Sequence, residues 1–136
     1  MRWLVAVCLL VCGATALAQQ EVVVVANVQE GTLALQRHEV RNLYMASSPM
    51  SDMTPVALPP SDPTRVLFNT KVIGLTEARV QSFWAQMRFS GRGRAPVELP
   101  DTQAMIEYLL AHVGAVGYLP SDQQIPEGLV VIYRSG

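Results

Sequence analysis

The apolar residues of this chain fall into two kinds of pattern, unbroken runs and helical repeats. The run EVVVVAN at Glu21–Asn27 contains four consecutive valines with no polar residue between them. Such a run is typical of a strand covered on both faces, because a strand with one solvated face alternates apolar and polar positions. Shorter runs predict three more strands, at Pro55–Leu58, Ala115–Leu119 and Leu129–Tyr133.

Helical spacing is clearest over Glu77–Arg88. An apolar stripe there follows the i, i+3, i+4, i+7 pattern through Val80, Phe83, Trp84 and Met87. The stripe predicts an amphipathic helix with this side against the core. Aromatic residues at helical spacing are more often core than a platform for stacking a ligand, so we expect Phe83 and Trp84 to be buried.

The other helices are indicated by their start and stop signals. Asp62 stands at an N-cap position and Pro63 at the first helical position, where the missing N–H of proline removes no hydrogen bond. Gly74 is predicted to end this helix, and further helices are predicted over Leu35–Met45 and Thr102–Val113. Strands that alternate with helices predict an α/β fold with a mostly parallel sheet and helices on both faces. For the last strand, Leu129–Tyr133, an antiparallel direction is the alternative.

Residues 1–18 have the features of a secretory signal. Arg2 supplies a positive charge, Trp3–Leu17 is apolar, and Ala16–Ala18 forms a small-x-small cleavage site. The apolar run is shorter than the roughly 20 residues that a membrane-spanning helix needs. We therefore expect cleavage of this segment, a periplasmic protein, and no membrane insertion after cleavage. The alternative is an uncleaved membrane anchor.

Cysteine content and charge define the mature chain, residues 19–136. Both cysteines, Cys8 and Cys12, lie in the signal segment, so the mature chain is predicted to have no disulfide and no thiolate metal site. Its length suits a single domain. The whole chain has a net charge of −1, but Pro63–Pro96 carries six basic residues and one acidic residue. This distribution suggests either a basic face for association or a solvated face with local salt bridges.

The greatest concentration of candidate chemistry lies in FWAQMRFSGRGRAP, Phe83–Pro96. Arg88, Arg92 and Arg94 fall within seven residues that contain no acid, and a glycine precedes each of the last two. Glycine lets a backbone approach a ligand closely, and guanidinium groups form strong charge-assisted hydrogen bonds with phosphate or carboxylate. The loop is predicted to contact an anion or an acidic partner; the alternative is a solvated loop that positions the next strand. Nucleic acid is not expected as a partner, because the mature chain is secreted and acidic overall.

The sequence lacks patterns for catalysis and for metal binding. It contains no GxSxG elbow, no HExxH pair and no P-loop. Its two histidines, His38 and His112, are far apart and have no histidine or cysteine at ligand spacing. We therefore predict that the protein is not an enzyme and has no catalytic residue, no metal and no cofactor.

Four segments occur in a fixed order along the chain: HEVRNLYM, PVALPPSDPTRVLF, FWAQMRFSGRGRAP and VGAVGYLP. In this order they resemble one lobe of the phosphate-binding proteins of bacterial ABC importers, and more closely the short, secreted, single-lobe proteins related to them. The segment GAVGY at Gly114–Tyr118 is similar to the GAIGY strand of that family. The resemblance covers nearly all of residues 19–136 and implies a single periplasmic-binding-protein-like lobe.

The resemblance also implies an anion site at the start of the helix that follows Asp62. The family places an arginine a few residues before a Ser-Gly-Thr turn at a helix N-terminus, where free N–H groups favour an oxyanion. Here the turn reads Asp-Pro-Thr, the preceding arginine is absent, and the Asp62 carboxylate is expected to compete for the same N–H groups. The predicted anion-binding residues are Thr64, Arg65, Arg92 and Arg94, with Asp62 as a modulating residue.

These predictions lead to two candidate functions. The first is a secreted, non-catalytic binding protein that binds an inorganic anion such as phosphate weakly, or an accessory of ABC transport. Because the second lobe of the family is missing, a self-dimer or an envelope protein would have to complete the cleft. The second is a protein-interaction module that docks its basic face on an envelope sensor or transporter.

Overall fold

The computed structural model describes residues 20–29, 31, 34–45 and 52–136, and the predicted signal segment lies outside them. The described part contains five strands and four helices. The strands are β1 Val22–Ala26, β2 Thr54–Ala57, β3 Val97–Glu98, β4 Ala115–Pro120 and β5 Val130–Arg134. The helices are α1 Arg37–Met45, α2 Pro63–Phe68, α3 Glu77–Phe89 and α4 Thr102–Ala111.

The five strands form one mixed sheet in the order β3-β2-β4-β1-β5. β2 runs parallel to both β3 and β4, whereas β1 runs antiparallel to both β4 and β5. The prediction of an α/β fold is confirmed, and the prediction of a mostly parallel sheet is wrong. The valine run of β1 is apolar because helices cover both faces of the sheet. Such a run reports burial on both faces, which is usual in parallel sheets but is reached here by an antiparallel strand.

Helices cover both faces of the sheet, as predicted. On one face, Gly117 of β4 packs so closely against α4 that an added Cβ would collide with Met105 and lie 3.1 Å from Leu109. On the other face, the Tyr118 ring stacks on Phe68 of α2 with centroids 4.0 Å apart, and Tyr44 of α1 packs beside both rings. Successive residues of one strand therefore contact different helical layers, which is the alternation expected of an extended chain.

The predicted start and stop signals of α2 are confirmed. The Asp62 carboxylate accepts a hydrogen bond from the Thr64 N–H at 2.8 Å, and Pro63 is the first helical residue. After α2 the chain continues without a break into a π-helical segment, Asn69–Ile73, which the sequence pattern does not predict. Gly74 ends it with a left-handed φ of 75°.

Strand β3 is the one element of the described sheet that the sequence pattern misses. It pairs with β2 through Val97 and Glu98, at the edge of the sheet. Two residues are too few to display the period of a strand. The strand nevertheless matters for the site, because it fixes the end of the arginine loop against the sheet and brings Glu98 beside α2.

Candidate functional site

The start of α2, which the resemblance assigns to an anion, is occupied by its own capping carboxylate. Asp62 accepts from the Thr64 N–H, and Pro63 has no N–H to offer. Thr64 itself is 7% exposed. An oxyanion at this helix start would therefore have to displace Asp62, which is the competition that the sequence predicts.

Arg65 is buried and lies at the centre of an ionic cluster whose two glutamates are partly exposed. Its guanidinium donates two hydrogen bonds to Glu77, through Nε at 2.6 Å and Nη2 at 2.8 Å. Nη1 donates to the carbonyl oxygen of Leu58 and to the Glu98 carboxylate, both at 2.8 Å. Asn69 completes the cluster by donating to Glu77 at 2.9 Å. The anions that Arg65 binds in this fold are thus two carboxylates of its own chain.

The cluster changes the pKa values of both members of its central pair. Burial alone would lower the pKa of Arg65, but the hydrogen bond and the negative charge of Glu77 raise it. Partial burial alone would raise the pKa of Glu77, but hydrogen bonds from Arg65, Gln81 and Asn69 lower it. Both shifts favour the charged forms, so the pair remains ionised at neutral pH.

Acid should remove the stabilisation that Glu77 provides. Because its folded-state pKa is lowered, this contribution is complete above its ordinary value of 4.5 and is lost as the pH falls through the lowered pKa. We expect Glu77→Gln to reduce the free energy of unfolding by about 2 kcal/mol at pH 7, the range of hydrogen bonds to charged groups. The two stabilities should converge as the pH falls below 4.5 and through the lowered pKa of Glu77. Urea unfolding at several pH values measures this, and a difference independent of pH would contradict it.

The arginine loop begins with a tight end to α3. Gly91 adopts a left-handed φ of 70° after the C-cap residue Ser90. The Gly91 N–H donates to the Arg88 carbonyl oxygen at 3.1 Å, and the Arg92 N–H donates to that of Met87 at 2.9 Å. This pair of bonds is the Schellman motif. The glycine therefore sets where Arg92 leaves the helix.

The loop then returns along α3 and packs on Trp84. A Cβ built on Gly93 would lie 3.6 Å from both Trp84 and Met87, so the loop backbone lies directly against the helix. Two clefts share Trp84 and Arg94, and we name them together the Trp84 groove. The cleft of about 280 Å³ also contains Arg92, and the cleft of about 680 Å³ contains Arg88.

The stripe of α3 is buried in part only. Val80 is buried, as predicted, but Phe83, Trp84 and Met87 each keep an intermediate exposure. Phe89, on the next turn, is 96% exposed. The helix thus buries only a narrow side, and Trp84 is the aromatic residue of α3 that lines the groove.

The three arginines of the groove are exposed, and their charge is not compensated by any described residue. Across the described ranges, Arg65 makes the only ion pairs, and Arg88, Arg92 and Arg94 make none. We name these three residues the arginine face. Three guanidinium groups around a half-buried indole suit the binding of carboxylates or other oxyanions next to an apolar group.

The structure brings together only part of the predicted site. Arg92 and Arg94 line the Trp84 groove, whereas Thr64 does not, and Arg65 meets Trp84 only in a separate cleft of about 60 Å³. The predicted site also misses Glu77 and Glu98, the partners of Arg65. They lie 12 and 33 residues further along the chain, and no periodic signal links positions on different elements.

The described residues offer no candidate metal site and no membrane span. No group of three or more histidine, cysteine, aspartate or glutamate side chains gathers among residues 20–29, 31, 34–45 and 52–136. His112 instead stacks on Tyr108 at 3.9 Å, with its Nδ1 2.8 Å from the carbonyl oxygen of that residue. None of the described helices combines the length and apolar character needed to cross a bilayer.

Comparison with known proteins gives no family assignment. No protein-family model matches the chain, and no curated protein matches its sequence.

Proposed function

We propose that this chain is a non-catalytic binding protein of the cell envelope that docks its arginine face on an acidic surface of a partner protein. The observation that carries the proposal is the contrast between two sets of arginines. Arg65 is buried and neutralised by Glu77 and Glu98, whereas Arg88, Arg92 and Arg94 are exposed and lack a described counter-charge. The free positive charge of this region is thus on the outside.

The composition of the surface favours a protein partner. Arginine and tryptophan are enriched among the residues that dominate the binding energy of protein interfaces. The Trp84 groove offers both, and Phe89, which follows Arg88 in the chain, is an exposed aromatic residue. Complementary charge steers association and selects partners, while desolvated aromatic contacts supply affinity. Because residues 1–18 are predicted to be a secretory signal, we expect this partner in the periplasm or at the membrane surface.

The second candidate is a single-lobe relative of the phosphate-binding proteins of ABC importers that binds a small anion weakly. The exposure of Arg92 and Arg94 in one cleft favours it. The start of α2 weighs against it, because Asp62 takes the Thr64 N–H and two carboxylates occupy Arg65. We therefore place it behind protein docking.

Two matched double variants test the docking proposal. Arg92→Gln/Arg94→Gln removes two positive charges from the arginine face, and Arg79→Gln/Arg134→Gln removes two from exposed positions outside the groove. For a partner captured from the envelope fraction with the wild-type protein and then purified, we expect the first variant to raise Kd at least about tenfold, or roughly 1.4 kcal/mol. The control should stay within about threefold, since it alters only long-range attraction.

Equal Kd values for the two double variants would contradict docking through the arginine face.

Thermal unfolding in the presence of inorganic phosphate distinguishes the second candidate, anion binding, from protein docking. A ligand that binds only the native state raises Tm by mass action. A phosphate-dependent rise that disappears in Arg92→Gln/Arg94→Gln, but not in the control, would favour anion binding in the groove over protein docking.

A further inference from the structure

We propose that a second site, in the groove between α1 and Gly74, binds a tetrahedral oxyanion such as phosphate or sulfate. The groove has a volume of about 500 Å³ and shares no lining residue with the Trp84 groove. It is lined by Gln36, Arg37, His38, Arg41, Ile73 and Gly74. The site is therefore independent of the docking surface proposed above.

Arg37 is positioned by the fold itself. Its Nε donates to the carbonyl oxygen of Val72 at 3.2 Å. A Cβ built on Gly74 would lie 3.1 Å from its Nη2, so the guanidinium rests against backbone where a larger residue would crowd it. Its two terminal nitrogens make no hydrogen bond with a described residue. A guanidinium held in this way loses little rotational freedom when it binds an anion.

Arg41 and His38 bring further donors to the same side of α1. Residues three or four positions apart are neighbours on a helix, so Arg41 lies beside both Arg37 and His38. Like charges at this spacing destabilise a helix, and cations in its first turn oppose the helix dipole. An anion bound between the two guanidinium groups would relieve both effects.

The nearest acid in the sequence does not neutralise this groove. The Glu39 carboxylate accepts from the backbone N–H of Gln36 at 2.7 Å, which is the reciprocal contact of a capping box, and Glu39 does not line the groove. The side chains that do line it offer two guanidinium groups, an imidazole and an amide. A phosphate or sulfate has enough oxygens to accept from both arginines and from His38 at once, whereas a carboxylate has two.

Titration of the mature chain with inorganic phosphate at constant ionic strength, followed by amide NMR, tests the site. We expect saturable shifts at Ile73 and Gly74, with a dissociation constant on the order of 1 mM. Arg41→Gln should weaken binding about tenfold, since it removes one charge-assisted contact. This variant breaks no hydrogen bond seen among the described residues. Arg79→Gln is the matched control and should bind as the wild type does.

Sulfate should shift the same amides, and acetate, which has only two oxygens, should bind more weakly. Shifts that do not saturate, or that chloride reproduces at the same ionic strength, would overturn the site. So would an unchanged affinity in Arg41→Gln. Shifts centred on Arg92 and Arg94, and lost in Arg92→Gln/Arg94→Gln, would assign the anion to the Trp84 groove instead and would also overturn it.

Discussion

Replacing Arg65 with methionine should lower the free energy of unfolding by about 3 kcal/mol at pH 7, in the range measured when one partner of a buried ion pair is removed. Methionine fills much of the volume but leaves Glu77 and Glu98 without their counter-charge, and the carbonyl oxygen of Leu58 without its donor. We expect the lower end of the range because the two glutamate side chains are 28% and 43% exposed. Urea unfolding followed by circular dichroism measures the change.

A triple variant separates the charge of this cluster from its packing. If unpaired carboxylates cause the loss, Arg65→Met/Glu77→Gln/Glu98→Gln should recover most of the stability, since an uncharged cluster leaves no partly buried ion without a partner. A triple variant as unstable as the single one would assign the effect to the packing of the arginine stem. A single variant within about 0.5 kcal/mol of the wild type would contradict the structural role of the cluster.

The parts of the fold that the sequence predicts well are set by contacts between near neighbours in the chain. Asp62 caps a helix whose bonded N–H lies two residues away, and Thr76 caps α3 through the N–H of Arg79. Gly74 ends its helix because its own φ is left-handed. The exposed arginine loop belongs to the same class, because Gly91 closes α3 through bonds that span three to five residues. Such signals can be read from a short window of sequence.

The direction of β1 depends on contacts that no short window contains. Its neighbours in the sheet are β4 and β5, and Val24 pairs with Tyr118 and Tyr133, about a hundred residues later. An apolar run buried on both faces is compatible with parallel and antiparallel neighbours alike. The strand β3 escapes prediction for a related reason: its two residues are ordered by pairing with β2 rather than by their own pattern.

The arginines of the candidate site also fall into those set by the local sequence and those set by distant contacts. Exposure of Arg92 and Arg94 follows from their glycine-spaced loop, whereas burial of Arg65 follows from carboxylates on α3 and β3. The sequence places Arg65 beside Thr64 at a helix start, but it does not reveal that the side chain turns inward. An arginine next to a potential anion site is therefore assigned correctly only when its partners across the fold are known.

Gly114→Ala should also destabilise the protein by about 3 kcal/mol, for a steric reason. Its φ of 84° lies in the left-handed region, which costs alanine about 1 kcal/mol. A Cβ there would lie 2.5 Å from the carbonyl oxygen of Asp52, and relieving such overpacking costs about 1–3 kcal/mol. The backbone has little room to move, because the Gly114 N–H donates to Asn27 at 2.8 Å and its carbonyl oxygen accepts from Thr54 at 2.9 Å. These bonds join the end of β1 and the start of β2 to the start of β4.

Gly91→Ala is the matched control, because it measures the cost of placing alanine at a left-handed φ without a steric contact. Gly91 has a φ of 70°, and a Cβ there meets no atom within 4 Å. Its replacement should cost only about 1 kcal/mol. The difference between the two variants, about 2 kcal/mol by chemical denaturation, then measures the contact with Asp52. Equal losses would show that the turn at Asp52 moves aside, and that the junction of β1, β2 and β4 tolerates a side chain where the structure leaves no space for one.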